Sequence, residues 1–96
     1  MSMDEVLHGQ RERILQIAAK HGAYNVRVFG SFARGEAGQE SDLDLLVEFE
    51  AGRSLLDHSG LKIDLEEALG RKVDVVTPDA IHWYIKARIM AEAVPL

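Results

Sequence analysis

The chain has no cysteine, which excludes disulfides, zinc–thiolate clusters and thiol catalysis together. That absence fits a reducing compartment, so a cytoplasmic location is the expectation. No uninterrupted apolar run approaches the ~20 residues that a membrane span needs. The opening residues, Met1-Ser2-Met3-Asp4-Glu5, also lack the basic-then-apolar order of a secretion signal. No membrane association is therefore expected. Positive charge is scarce as well: 11 Lys and Arg stand against 16 Asp and Glu, a net charge of −5. Such a surface repels long polyanions, which argues against an extended nucleic-acid interface but tolerates one triphosphate accompanied by Mg²⁺. His8, His21, His58 and His82 show no zinc-site spacing, and the glycines match neither a Walker nor a dinucleotide pattern. With no repeat, low-complexity tract or linker, the 96 residues read as a single domain, 1–96. A domain of this size buries a modest share of its surface, so any substrate platform it builds is slight and a partner has room to complete it.

What is present has a clear order. Leu7, Ile14, Leu15, Ile17 and Ala18 recur at helical spacing and stop at Lys20-His21-Gly22, giving a first helix over Asp4 to His21. Asn25 to Phe29 reads as a strand that ends at Gly30-Ser31, and Phe32 to Glu36 as a short helix with Ser31 as its N-cap. From Asp42 to Phe49 the residues alternate, with Leu43, Leu45, Val47 and Phe49 on one face and Asp42, Asp44, Leu46 and Glu48 on the other. Leu61, Leu65, Ala68 and Leu69 mark the next helix, which closes at Gly70, and Lys72 to Thr77 makes a third strand. Pro78-Asp79 supplies a turn and an N-cap for a last helix over Ala80 to Ala93. The pattern predicts an α/β domain, a small mixed β-sheet flanked by helices.

The sharpest feature is Gly30-Ser31 followed, ten residues on, by Asp42-Leu43-Asp44. A glycine at a strand end lets the backbone approach a phosphate closely, and a serine opening a helix adds a hydroxyl and backbone N–H groups aimed at the anion. Two aspartates at i and i+2 on a strand point the same way, roughly 6.5 Å apart, so both can reach one site. Magnesium is commonly held by one or two carboxylates plus substrate phosphates, which is the set these residues offer. Asp74 interrupts the β-branched run Val73-Asp74-Val75-Val76, where a buried carboxylate costs several kcal/mol unless paired or bound to metal. Plainer readings stand beside these: Asp42 capping a strand end next to Ser41, Asp74 on an exposed face, and Arg34 as a surface cation paired with Glu36 or Glu40 instead of facing a triphosphate.

The last helix carries two apolar stripes, Ile81, Ile85 and Ile89 on one side and Trp83, Ala87, Met90 and Val94 on the other. One stripe is expected to dock on the sheet. The second is covered either by the first helix or by another chain, in a homo- or hetero-oligomer.

Three blocks carry a family resemblance: Val28-Phe29-Gly30-Ser31-Phe32-Ala33-Arg34-Gly35-Glu36, Ser41-Asp42-Leu43-Asp44-Leu45-Leu46-Val47, and Gly70-Arg71-Lys72-Val73-Asp74-Val75-Val76-Thr77. The sequence resembles the minimal nucleotidyltransferases of the DNA polymerase beta-like nucleotidyltransferase superfamily, over most of the chain from Val26 onward and with no departure at the motif positions. The resemblance implies that Gly30 and Ser31 bind nucleotide phosphates, that Asp42 and Asp44 ligate metal, and that Asp74 is the third carboxylate, holding a metal or taking the acceptor's proton. Two metal ions roughly 3.5 to 4 Å apart then align an acceptor hydroxyl with the α-phosphate. Stand-alone domains of this kind are typically encoded beside an all-helical HEPN protein and act as its antitoxin, some by moving AMP from ATP onto a tyrosine of that toxin. Mg²⁺, ATP and a HEPN-type toxin are accordingly the implied cofactor, nucleotide donor and partner. A second reading is an antitoxin that neutralises by binding alone. Transfer to a small molecule such as an aminoglycoside is weaker, because those enzymes carry an additional acceptor-binding domain.

Overall fold

A computed structural model describes residues 3–38 and 41–96. Helix α1 (Met3–Lys20) leads into strand β1 (Ala23–Phe29), then β2 (Leu43–Phe49), helix α2 (Leu55–Leu69), β3 (Val73–Val76), a 3₁₀ turn (Pro78–Ala80), helix α3 (Trp83–Glu92) and a two-residue strand β4 (Val94–Pro95). The strands form one sheet in the order β3-β2-β1-β4. Both β1–β2 and β1–β4 are antiparallel, whereas β2–β3 is parallel, as a strand–helix–strand crossover through α2 requires.

The alternation in β2 decides which side of the sheet becomes the core. Leu43, Leu45 and Val47 are fully buried and cluster with Val26 and Val28 of β1, Val73 and Val75 of β3, Ile14 and Ala18 of α1, and Leu61 and Leu65 of α2. Both long helices therefore cover one face. On the other, Asp44, Glu48 and Asp74 stay at least partly accessible, while Leu46 is buried outside the main cluster, as is Ile81 just after the 3₁₀ turn.

Helix α2 begins six residues before Leu61, the first residue of its expected stripe. Ser54 accepts a hydrogen bond from the Leu56 N–H at 3.2 Å, and Asp57 accepts one from the Ser54 N–H at 3.0 Å, a reciprocal cap that starts the helix early. Two other expectations need correction. Phe32 to Glu36 is not a helix with Ser31 as N-cap. The N–H groups of Arg34, Gly35 and Glu36 bond to the carbonyls of Gly30, Phe32 and Ser31 at 3.1, 3.3 and 2.9 Å, so the spacing changes at each step and no ladder propagates. Gly35, at φ +72°, then ends the turn. Nor does the last helix begin at Ala80 under a cap from Asp79. Ile81 and His82 are extended, with ψ of 132° and 136°, and the helix starts at Trp83. Taking the extended form lets Ile81 sink below the surface, a gain of about 1.5–3 kcal/mol that outweighs one helical turn. Ile81 accordingly does not share a helix face with Ile85 and Ile89.

Candidate nucleotide-binding site

Three chain segments meet at one end of the sheet, where β1 finishes and β2 and β3 begin. Phe29, the last residue of β1, pairs with Asp44, and Asp44 pairs in parallel register with Asp74. Paired residues in neighbouring strands project to the same side, with backbones about 4.8 Å apart, so the two carboxylates leave the sheet together, away from the core. Asp42 immediately precedes β2 and is exposed. Its position is fixed from behind: Arg71 donates to the Ser41 carbonyl at 3.0 Å and lies 5.1 Å from the centre of the Phe32 ring, while the Leu43 N–H donates to the Lys72 carbonyl at 2.9 Å. Arg71 thus ties the turn after β1 to the residue before Asp42, a positioning role across 30 residues of sequence.

Gly30 follows Phe29 with φ at +72°, a left-handed conformation that disfavours any side chain. The space a Cβ would fill is taken by the Asp44 carboxylate. Glycine at this position therefore permits two things at once, the sharp exit from β1 and the close approach of an acidic group to bare backbone. Ser31 and Arg34 lie on the turn that follows, Ser31 half-buried and Arg34 exposed.

Electrostatics mark Asp44 out. Burial raises its pKa above the ordinary aspartate value, and repulsion from Asp74 and then Asp42 raises it further, with Arg34 offsetting part of the effect. Asp74 and Asp42 are thus close enough to penalise the charge on Asp44. Among the described residues, however, no three His, Asp or Glu side chains stand close enough together to hold a metal ion. Separation of that kind is the expected rest position of like charges. The donor set itself suits magnesium, being hard oxygen ligands on one side of one sheet edge, and a divalent cation would relieve the repulsion recorded at Asp44.

The nucleotidyltransferase domain model matches residues 11–96. The chain belongs to the nucleotidyltransferase domain family. It is 47% identical over 94 residues to the candidate protein adenylyltransferase MJ0435 of Methanocaldococcus jannaschii, covering 98% of this chain and 97% of that protein. It is also 38% identical to the protein adenylyltransferase MntA of Thermococcus cleftensis, over 82% of this chain and 80% of that one. A solved structure of a candidate minimal nucleotidyltransferase superposes with a TM-score of 0.87 at 51% identity, covering all of this chain and 97% of the other. The crystal structure of a toxin–antitoxin with AMP-PNP has a TM-score of 0.74 at 19% identity, over 88% of this chain and 69% of that one, a likeness of fold. Membership places this nucleotidyltransferase among enzymes that transfer nucleotidyl groups, and its mixed sheet flanked by helices is the fold of its solved relatives.

One residue at this candidate site had no place in the sequence expectation. Glu92, the last residue of α3, accepts the Gly30 N–H at 3.0 Å and the Arg34 guanidinium at 2.7 Å. These bonds hold its pKa below the usual glutamate range, the Arg34 contact contributing most. Arg34 also donates to Glu36 at 3.0 Å, so the surface pairing weighed for Arg34 is present through Glu36, and Glu40 lies outside the described residues. A signal for Glu92 did exist in the sequence, since an acid in the last helical turn opposes the helix dipole and needs a compensating partner.

The second apolar stripe of α3 is open. Trp83 is 81% exposed, and Ala87, Met90 and Val94 are exposed too. Val94 belongs to β4 and not to the helix. Helix α1 packs on β1 and α2, so it does not supply the cover that was one of the two alternatives.

Proposed function

We propose that this chain is a Mg²⁺-dependent protein adenylyltransferase that moves AMP from ATP to a hydroxyl, a tyrosine, of a HEPN-type toxin and so acts as its cytoplasmic antitoxin. The observation carrying this reading is the register that sets Asp44 beside Asp74, with Asp42 two residues away and the bare backbone of Gly30 against Asp44. Support for an adenylyl donor and a protein acceptor comes from the names of the relatives that match along most of the chain. Support for a toxin partner comes from the fold shared with a toxin–antitoxin structure.

In this reading Gly30 and Ser31 receive the phosphates, the glycine by offering unobstructed backbone and the serine by its hydroxyl, and Arg34 balances their charge. Asp42, Asp44 and Asp74 would hold the metal. Bound there, Mg²⁺ supplies charge neutralisation for the phosphates and lowers the pKa of the acceptor hydroxyl. Asp74 is exposed at the site's rim, where an incoming hydroxyl can reach it, and it takes that proton as the oxygen attacks the α-phosphate and pyrophosphate leaves. The open stripe of Trp83, Ala87 and Met90 is the face offered to another chain, which presents the acceptor that so small a domain cannot hold alone.

The rival reading, neutralisation by binding alone, is disfavoured by the repulsion retained at Asp44, which an idle site would have no reason to keep. One experiment separates the two. Incubation with labelled ATP, Mg²⁺ and the protein encoded next to this chain should label that protein with wild type, should not with Asp42→Ala, and should be much reduced with Trp83→Glu. Absence of label throughout, with Asp42→Ala still neutralising the partner, would favour binding alone.

A further inference from the structure

Beside Gly30, between the end of β1 and α3, which buries no residue of its own, lies a cleft of about 180 Å³ lined by Phe29, Gly30, Arg34, Ile89, Arg88 and Glu92 among others. Its lining is chemically uneven. Two arginines and one backbone N–H face it, and the only acid among them, Glu92, spans two of those donors with its two carboxylate oxygens. The placement of that acid is electrically awkward, because Glu92 lies close enough to Asp44 to add to the repulsion there. A carboxylate settles near another only where the local donors bind anions strongly enough to offset the repulsion, and here those donors are the Gly30 N–H at 3.0 Å and the Arg34 guanidinium at 2.7 Å. The Glu92 side chain thus reports what the cleft selects: an anion with oxygens spaced to bridge a strand-end N–H and a guanidinium.

We propose that Glu92 is an internal stand-in that occupies the phosphate subsite of the proposed nucleotide site at this cleft, bridging the Gly30 N–H and Arg34, and that the β- and γ-phosphates of the nucleotide displace it. The subsite rests on the nucleotide-site reading above only for the identity of its ligand. One N–H cannot serve both anions, and a triphosphate next to an ionised Glu92 is repelled, so entry requires the side chain to turn outward. At 18% exposure it is near enough to solvent to do so without unfolding α3. Arg88 lines the cleft one turn before Glu92, exposed to solvent at its rim, and its charge already acts on that carboxylate. Once Glu92 leaves, both arginines are available to phosphate oxygens. The device holds Arg34 in place and keeps the N–H of Gly30 satisfied until phosphate arrives, at a cost in affinity.

Calorimetric titration of the intact chain with inorganic pyrophosphate, ATP–Mg²⁺ and adenosine tests this. Glu92→Gln should bind pyrophosphate and ATP–Mg²⁺ about tenfold more tightly than wild type, because a charge-assisted hydrogen bond no longer competes. Arg88→Ala should weaken both several-fold, and adenosine should be indifferent to either change. Unchanged or weaker pyrophosphate binding by Glu92→Gln would overturn the proposal. Should that variant fail to fold, the wild type still decides: pyrophosphate must shift the NMR signals of the Gly30 amide and the Glu92 carboxyl carbon, and their immobility would overturn it equally. The Asp44→Asn chain distinguishes the two readings. If it binds ATP–Mg²⁺ as wild type does, the aspartate site fails while the phosphate subsite stands on its pyrophosphate results.

Discussion

Asp44→Asn is expected to reduce adenylyl transfer by roughly 10³-fold, the factor that corresponds to several kcal/mol of lost transition-state charge stabilisation, while the metal-free protein melts no lower than wild type. The two halves of that result have one cause. Asp44 is half-buried, and its neighbours Asp74 and Asp42 penalise its charge, so the ionised group costs the folded chain stability, a cost that the proposed cation would offset. The sign in pH follows. A carboxyl whose pKa is raised on folding binds its proton more tightly in the folded chain, so wild-type stability falls as pH rises from the unfolded aspartate value through the raised one. The variant lacks that loss. Denaturation monitored against pH should find the two proteins alike in acid and the asparagine form relatively more stable at neutral pH. Adding Mg²⁺ should stabilise the wild type and not the variant. A destabilised Asp44→Asn that retained activity would contradict both parts.

Gly30→Ala should behave in the opposite way, losing stability and activity together. At φ +72° an alanine pays about 1–2 kcal/mol of backbone strain, and its Cβ falls where the Asp44 carboxylate now sits. For a domain of this size each kcal/mol lowers the melting temperature by about 4–8 °C, so a drop of roughly 5–15 °C is expected. Displacing Asp44 by even about 1 Å should cost on the order of 10²-fold in rate. Thermal melts and a transfer assay on the same preparation check both effects. An alanine form as stable and as active as wild type would mean that the close approach of backbone to carboxylate has no part in the chemistry.

The parts of this molecule that could be read from its sequence are those whose cause is local. The alternation from Leu43 to Phe49 specifies a half-buried strand because side chains there reverse face at every residue, and the same parity puts Asp42 and Asp44 on the side away from the core. Gly30 was legible as a turn because glycine commonly ends a strand, and its spacing to Asp42-Leu43-Asp44 is what set it apart. Features that depend on distant pairings were not visible. Strand β4 consists of two residues, Val94 and Pro95, held against Arg27 and Val28, and neither its length nor its proline suggests a strand until the edge of β1 is in view. The start of α3 was misplaced because Pro78-Asp79 is a sound local helix signal, overridden by the burial of Ile81. Ser31 was read as a helix cap for the same kind of reason, from a residue preference that Gly35 cuts short within one turn. Glu92 meets Gly30 from 62 residues away, a contact that only the completed sheet and α3 create.

All of this turns on whether the three aspartates and the Gly30-Ser31 turn receive the metal and the triphosphate in one place. Anomalous difference density from crystals grown with Mn²⁺ and a non-hydrolysable ATP analogue tests that most directly. The account predicts a manganese peak bonded to Asp42 and Asp44 and to the phosphates, with the triphosphate lying against Gly30 and Ser31. A nucleotide seated elsewhere, or manganese bound away from these aspartates, would contradict it.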